Sequence, residues 1–262
     1  MQLQPATGRS PWPVVLIGLA ITLALFVAVS AVEIARPDAL GFNFGTAQGH
    51  LRTLDRSGPV GGLTAGSLEL DYGAAALSVG AEDLGQDLYR AHFEVSPDVT
   101  ASADIIQPGG LLRIKLNSDN HWCFFGCQEH RARLNLTLNS RLPWRISLAG
   151  GASEGTIDAG SLKLSRFDLS AGASNLSLTL PTPSGTVPLS FAGGASAVHL
   201  HAPSDTKVRI ELSGGSSSLR VNGARLGALG NDLTWESEGY AGASDRYLVN
   251  ASGGATDLSW DS

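Results

Sequence analysis

The feature that most constrains the fold is a turn of small residues that recurs along the second half of the chain. It occurs in SLAGGASEGTI, DLSAGASNLSL, SFAGGASAVHL, ELSGGSSSLRV and NASGGATDLSW. The last glycine of each turn is Gly151, Gly172, Gly194, Gly215 or Gly254, so the first four copies are 21, 22 and 21 residues apart. A fixed period of this length is typical of proteins built from stacked structural units.

Alternating apolar and polar residues flank these turns. In one copy Val208, Ile210 and Leu212 precede the turn, and Leu219 and Val221 follow it. This period of two predicts one strand into the turn and one strand out of it, each with one buried face. Glycine is expected at positive φ in the sharp corner, and Ala or Ser lets equivalent corners approach closely. Such units bury their apolar faces by stacking, as in a β-solenoid.

The same alternation begins well before the first clear turn. It is present at residues 68–72, 89–95 and 112–116, and DYGAAALSVG around Gly73 resembles a degenerate copy of the turn. Aromatic residues make up 6% of the chain and glycines number 32, a composition that favours short strands joined by tight turns. Residues 65–262 are therefore predicted to form an all-β, solenoid-like stack of short strands with 21–22-residue repeats.

The chain opens with a different kind of segment. Residues 14–32, VVLIGLAITLALFVAVSAV, carry no charge, and as a helix they would span about 29 Å, close to the thickness of a bilayer core. We predict a short cytoplasmic N-terminus at 1–12, one transmembrane helix at 13–35 and a linker at 36–64. A cleaved signal peptide ending at Ala31 is the alternative, although its apolar region would be shorter. Arg9 precedes the span, which favours a location outside the cytoplasm for residues 40–262.

The charge of the chain argues against nucleic acid as a partner. The formal net charge is −6, and the lysines are Lys115, Lys163 and Lys207. Scattered basic residues form no stripe of positive charge that could neutralise phosphates. The expected partners are therefore the membrane, through the helix at 13–35, and a protein.

One segment contains both cysteines of the chain. HWCFFGCQEH, residues 121–130, places Cys123 and Cys127 between His121 and His130. These four residues could bind structural zinc, although their spacing differs from that of common zinc sites. A disulfide between the cysteines suits a location outside the cytoplasm, where thiols oxidise, and it would order the loop more than stabilise the domain. We therefore predict the disulfide and no metal.

Other candidate groups are weaker. His199 and His201 share one strand face, but no third ligand is near them in sequence, so a solvated face is favoured over a metal site. Asp158 and Asp168 are candidates for the carboxylate pair of a carbohydrate-cleaving enzyme, which needs further convergent groups. We predict no catalytic residue, no cofactor and no enzymatic activity.

The turns also carry a family resemblance. The stretch LPWRISLAGGASEGTIDAGSLKLSRFDLSAGASNLSLTLPTPSGTVPLSFAGGASAVHLHAP and the later ESEGYAGASDRYLVNASGGATDLSW resemble the bacterial cell-wall-active-antibiotic-response family, also called LiaF-like or toast-rack, over about residues 65–260. The resemblance implies an all-β, solenoid-like domain on a membrane anchor, linked in some members to regulation of an envelope-stress sensor kinase. The family has no catalytic motif, and its best-known members carry several membrane helices where one is predicted here.

Three hypotheses follow. The first is a single-pass protein of the bacterial cytoplasmic membrane whose outer β-solenoid domain acts by protein contact in envelope stress sensing or regulation, with a membrane sensor kinase as a candidate partner. The second is a surface adhesin or glycan-binding module. The third, an enzyme of solenoid architecture using Asp158 and Asp168, has the least support in the sequence.

Overall fold

The computed structural model describes residues 51–262 except 72–73, 98, 107–108, 119–131, 214–215, 230–232 and 254. These residues belong to one structural unit, Gly49–Ser262. The N-terminal segment predicted at 1–12 and the helix predicted at 13–35 lie outside the described residues. In the part of the chain that is described, no helix has the length and apolar character needed to cross a membrane.

Almost all regular structure in the described residues is β-strand. The strands are β1 (Arg52–Pro59), β2 (Gly66–Leu70), β3 (Ala74–Glu82), β4 (Asp87–Val95), β5 (Val99–Ile106), β6 (Leu111–Ser118), β7 (Ala132–Asn139), β8 (Pro143–Leu148), β9 (Ala152–Asp158), β10 (Lys163–Leu169), β11 (Ala173–Thr179), β12 (Thr186–Phe191), β13 (Ala195–His201), β14 (Lys207–Leu212), β15 (Ser216–Val221), β16 (Ala224–Leu229), β17 (Leu233–Glu236), β18 (Arg246–Ala251) and β19 (Ala255–Asp261). One turn of 3-10 helix, Tyr240–Gly242, precedes β18. The prediction of an all-β fold is confirmed.

The strands form two sheets that share one hydrophobic core. The ten-stranded sheet has the order β1-β4-β7-β3-β9-β11-β13-β19-β15-β16, and the nine-stranded sheet has the order β17-β14-β18-β12-β10-β8-β2-β6-β5. The central strands, from β7 to β15 and from β14 to β6, are parallel. The strands at both ends are antiparallel.

Each central strand of the nine-stranded sheet continues through a corner into a strand of the ten-stranded sheet. We call each such pair a coil. The coils are β2–β3, β6–β7, β8–β9, β10–β11, β12–β13, β14–β15 and β18–β19. The predicted turns lie at the corners of these coils, and the segment around Gly73 joins β2 to β3. A stack of repeated coils is therefore confirmed.

The alternation of apolar residues positions the core. In β14 the buried residues are Val208, Ile210 and Leu212, while the residues between them are half-buried on the outer face. Larger side chains fill the space between the sheets, including Trp144 of β8 and Trp260 of β19, which are both almost fully buried. Because a strand alternates its side chains between two faces, the other half of each strand builds the outer surface of the stack.

The coils do not stack in chain order. The coil β2–β3 lies between β6–β7 and β8–β9, and the coil β18–β19 lies between β12–β13 and β14–β15. The long interval between Gly215 and Gly254 has a structural cause, because the residues between β15 and β18 form β16, β17 and the 3-10 helix before the chain returns into the stack. The spacing of the repeats alone does not reveal these additional elements between β15 and β18.

Antiparallel strands cap both ends of the stack. At one end β1 extends the ten-stranded sheet, although 36–64 is predicted as a linker, so that prediction is wrong for Arg52–Pro59. The Arg52 guanidinium donates to the Val99 carbonyl of β5 at 2.9 Å and connects the two sheets. Asp55 and Arg56 place charges on the outermost strand, which disfavours pairing with further strands.

Candidate functional site: a polar pocket on the ten-stranded sheet

A pocket of about 350 Å³ lies where β1, β4 and β7 meet. Its lining residues are Asp55, Arg56, Ser57, Arg90, Ala91, His92, Asn135 and Thr137. Except for buried Ala91, these residues carry polar or charged side chains. The pocket is therefore suited to a polar ligand or to a polar segment of a partner protein.

Strand register brings these side chains together. Asp55 pairs with His92, which in turn pairs with Asn135 on the far side. Two positions along, Ser57 and Arg90 pair and Arg90 faces Thr137. Residues two apart on a strand share a face, so these two cross-strand rows form one continuous polar surface.

His92 is the centre of the electrostatics of the pocket. Its Nδ1 lies 2.7 Å from Asp55 Oδ1, and its Nε2 lies 3.9 Å from Glu94 Oε1. Glu94 also accepts a hydrogen bond of 2.8 Å from the Arg133 guanidinium. The imidazole therefore lies between two carboxylates. Its Nδ1 faces Asp55 on β1, and its Nε2 faces Glu94 on β4.

The two arginines of the pocket differ in their contacts. Arg90 forms an ion pair of 2.9 Å with Asp87 of its own strand. Arg56 donates one hydrogen bond of 2.9 Å to the backbone carbonyl of Asp55. Arg56 lies between Asp55 and Ser57 and pairs with buried Ala91, so its side chain leaves β1 on the face opposite to those of Asp55 and Ser57.

Ser57, His92 and Asp55 are residue types of a hydrolase triad, but their arrangement differs from one. In a triad, one imidazole nitrogen faces the carboxylate and the other faces the serine. Here the nitrogen opposite Asp55 faces Glu94, whereas Ser57 is paired with Arg90 on the other side of His92. The geometry therefore does not place His92 to activate Ser57.

The predicted corner glycines lie where small residues are needed. A Cβ added to Gly151 would lie 3.0 Å from the Gly172 carbonyl oxygen, and one added to Gly172 would lie 3.3 Å from that of Gly194. These corners therefore do approach closely. The expectation of positive φ does not hold at Gly151, Gly172 or Gly194. In the described residues φ lies in the left-handed region at other glycines, such as Gly185. Gly215 and Gly254 lie outside the described residues.

A neighbouring glycine, outside the predicted set of corner glycines, is under a tighter constraint. A Cβ added to Gly193 would lie 2.1 Å from the Ala171 carbonyl oxygen of the adjacent coil. The same contact at Gly253 would be 2.2 Å, to the Ala192 carbonyl oxygen. In the sequence, this constraint is indicated by two adjacent glycines in a turn. Both are small because the backbone of one corner packs directly against the backbone of the next.

The cysteine segment lies outside the described residues, so Cys123, Cys127, His121 and His130 have no structural account. Its place in the chain is nevertheless defined, because residues 119–131 connect β6 to β7. The equivalent corner of the coil β10–β11 has three residues, 170–172. The segment is thus an insertion at one corner of the stack, and the disulfide remains a prediction.

The other candidate groups do not converge. His199 Nδ1 lies 2.8 Å from Ser259 Oγ, and His201 Nδ1 lies 3.8 Å from Asp261 Oδ2. No group of three or more possible metal-ligating side chains occurs within the described residues. Asp158 is on β9 and Asp168 on β10, which belong to different sheets, so these two carboxylates do not form the pair that an enzyme would need.

Asp168 instead forms a structural ion cluster on the nine-stranded sheet. It lies 2.7 Å from Arg166 and 3.1 Å from Arg145. Burial raises the pKa of its carboxyl, but the hydrogen bonds and charges of Arg166 and Arg145 outweigh burial and bring the pKa below its ordinary value of 3.8. The carboxylate is therefore ionised at neutral pH and joins two neighbouring strands.

The comparisons with known proteins agree with this architecture. The family model for the N-terminal domain of toast_rack, DUF2154, matches residues 47–201. No curated protein sequence matches the chain. The start of the family match near residue 47 also agrees with the inclusion of β1 in the domain.

Solved structures provide a further comparison. A candidate cell adhesion protein from Clostridium sporogenes superposes with a TM-score of 0.60 at 15% identity, covering 80% of this chain and 99% of that one. A candidate adhesin from Bacteroides fragilis has a TM-score of 0.27 at 10% identity, covering 81% of this chain and 97% of that one. At these identities the first likeness concerns the fold alone, and the second supports no inference. The chain belongs to the toast-rack family, whose N-terminal domain model matches more than half of its 262 residues.

Proposed function

We propose that this chain is a non-enzymatic domain, anchored in a bacterial cytoplasmic membrane by residues 13–35 and displayed outside the cytoplasm, that acts by protein contact in envelope stress sensing or regulation. The observation that supports contact is the polar pocket formed by β1, β4 and β7. Its side chains come from three strands that are distant in sequence and held in register by the sheet. A surface on such a rigid scaffold can bind a partner without rearrangement.

The chemistry of the pocket indicates the kind of segment it would bind. Arg90 supplies positive charge, while Asn135 and Thr137 supply neutral hydrogen-bonding groups. A partner segment with a carboxylate flanked by polar groups would match this arrangement. The family resemblance makes a membrane sensor kinase the first class of partner to examine.

Location is tested with the two cysteines. Intact cells are treated with a membrane-impermeant thiol reagent, with and without prior mild reduction, and the mass of the peptide containing Cys123 and Cys127 is measured. Labelling that requires reduction but not lysis is the result expected for an oxidised pair outside the cytoplasm. Labelling that requires lysis but no reductant would contradict the proposed orientation and favour the zinc interpretation.

Contact is tested by photo-crosslinking in cells. A photoreactive amino acid replaces exposed Ser57 in the pocket, and a matched variant carries it at exposed Thr234 on β17 of the other sheet. The expected result is a defined adduct with a membrane protein from position 57 that is absent from position 234. Identical adduct patterns from both positions, or recovery of the full-length chain in the soluble cytoplasm, would overturn the proposal.

The second candidate function is a surface adhesin or glycan-binding module. The fold shared with the candidate cell adhesion protein of C. sporogenes favours it, as do the hydrogen-bonding groups of the pocket. Glycan sites commonly stack sugars on exposed aromatic rings, but Trp144, Tyr247 and Trp260 are fully buried and Trp235 packs against the core.

Glycan binding is best tested at the pocket. Trp235→Ala would disturb core packing, so Asn135→Ala and Arg90→Ala are the better variants. Wild-type protein that binds purified cell-wall polymer, with binding reduced by both substitutions, would favour this function over protein contact. No binding by the wild type would exclude it.

A further inference from the structure

The coil β18–β19 separates two coils that are consecutive in the chain. β18 pairs in parallel with β12 on one side and with β14 on the other. β19 pairs in the same way with β13 and β15. We call this coil the insert, because without it β12–β13 and β14–β15 would be direct neighbours.

The register would allow those neighbours to pair. Thr186 of β12 and Lys207 of β14 both pair with Arg246, so the two strands are offset by 21 residues. In the other sheet Ala195 and Ser216 both pair with Ala255, which gives the same offset. Directly paired strands elsewhere have similar offsets: β8 and β10 align Ile146 with Phe167, an offset of 21, and β10 and β12 align Phe167 with Leu189, an offset of 22. Direct pairing therefore needs no slip of either strand.

The inward and outward faces would also agree. With the insert removed, buried Val187 would lie beside buried Val208, and buried Leu189 beside buried Ile210. In a parallel sheet a shift of one residue would reverse every side chain, but no such shift is required. Both sheets could close the gap and keep their apolar residues in the core.

The corners are equivalent as well. Ser213-Gly214-Gly215 repeats the sequence of Ser252-Gly253-Gly254 in the insert. The Ser252 backbone N–H donates to the Phe191 carbonyl at 3.0 Å, and the Ser213 backbone N–H donates to the Ala251 carbonyl at 3.0 Å. Without the insert, Ser213 could donate to the Phe191 carbonyl in the manner of Ser252.

The connection of the insert makes its release feasible. Residues 237–245 join it to β17, and within the described residues no strand follows β19. Leaving the stack would therefore break no other described coil. Buried Tyr247, Val249, Leu258 and Trp260 hold the insert in place, so the stack that contains it is the more stable state.

We propose that the insert is displaceable. The chain interconverts between the stack described above and a shorter stack in which β12–β13 pairs directly with β14–β15 and residues 246–261 are released. The device is an order-to-disorder switch between two packings of one sequence. It does not depend on the partner proposed for the pocket.

Cysteine pairs in the full chain, carrying Cys123→Ser and Cys127→Ser, distinguish the two stacks. Ser190 and Glu211 are two strand spacings apart across β18, about 9.6 Å, which is too far for a disulfide in the inserted state. The variant Ser190→Cys/Glu211→Cys therefore reports the shorter stack. The pair Ser190→Cys/Asn250→Cys joins adjacent positions and reports the inserted state.

A matched pair controls for global unfolding. Ser147 and Ser190 are also two strand spacings apart, across Asp168 of β10, but β10 cannot leave without disrupting the chain on both sides. Under mild oxidation well below the unfolding temperature, the 190/211 disulfide should form at least about tenfold faster than the Ser147→Cys/Ser190→Cys disulfide. Equal rates would overturn the proposal, because both would then report global unfolding.

Hydrogen exchange of the unmodified chain supplies an independent readout. A static stack would protect the backbone amides of β18 as well as those of the equally internal β12 and β10. The proposal requires β18 and β19 to exchange faster than β12 and β13, through a sub-global opening. Equal protection of these strands would contradict it.

Discussion

The corner glycines carry a constraint that a single substitution can measure. Gly193→Ala places a Cβ against the Ala171 carbonyl, a backbone atom that cannot move away without separating two coils. We expect a loss of about 3 kcal/mol in the free energy of unfolding, as for other overpacked sites. Urea denaturation gives the value. The control is Gly80→Ala in β3, where the added Cβ meets no atom within 4 Å, and a similar loss there would contradict the corner explanation.

The ion cluster of Asp168 predicts a pH-dependent contribution to stability. Its pKa is below 3.8 in the folded state, so the contribution is present above the unfolded pKa and is lost as the pH falls through the folded pKa. Arg145 and Arg166 are half exposed, which screens the interaction, and Asp168→Asn should cost about 1 kcal/mol at pH 7. Urea midpoints at pH 7 and below pH 3 provide the test.

The difference between wild type and Asp168→Asn should vanish at the acidic end of this series. Glu154→Gln, an exposed position on β9, is the control that should alter stability little at either pH. A difference that stays constant across the pH range would assign the effect to packing of the amide and not to ionisation.

At the scale of the strands, one buried hydrogen bond connects β18 to the turn before β12. The Tyr247 hydroxyl donates to the Pro181 carbonyl at 2.7 Å, and burial raises the pKa of this phenol. Tyr247→Phe leaves that carbonyl without its donor and should lower the free energy of unfolding by about 1–2 kcal/mol. Tyr89→Phe removes a longer bond of 3.2 Å to Ala103 and should cost less in the same urea experiment, so the opposite order would contradict this account.

The strands that the sequence predicts well are those with one strictly apolar face. β14 shows this period, with Val208, Ile210 and Leu212 buried. β1 does not, because RTLDRSGP lies at the edge and is mostly exposed, so its strand pairing leaves no apolar pattern. The position of β18–β19 in the stack also cannot be predicted from the sequence pattern, because every coil has the same pattern. Which coils become neighbours depends on connections between residues that are far apart in the chain.

At the scale of the molecule, the pocket could not be predicted for a related reason. Asp55, His92 and Asn135 are far apart in sequence and meet through the pairing of β1, β4 and β7. Each of them is an ordinary outward-facing residue of its own strand. The sequence does predict the stack that brings them together, because the turns and the period of two depend on local spacing.

The interleaved order of the coils predicts how the whole stack unfolds. Solenoids that stack in chain order behave as linear arrays, in which end repeats can unfold separately. Here one hydrophobic core includes buried Leu112 of β6 near one end and buried Val208 of β14 near the other. The coil β6–β7, which contains Leu112, covers β2–β3, and the coil β14–β15, which contains Val208, covers β18–β19. Unfolding of either end would therefore expose a coil that is distant from it in sequence.

We therefore expect Leu112→Ala and Val208→Ala each to shift one and the same transition, by about 2–4 kcal/mol. Far-ultraviolet circular dichroism reports all strands, whereas tryptophan fluorescence is weighted toward the neighbourhoods of buried rings such as Trp144 and Trp260. Coincident urea curves from the two signals, in the wild type and both variants, are the expected outcome. Curves that separate in one variant would mean that its end of the stack unfolds alone, and that the interleaved coils do not couple the two ends.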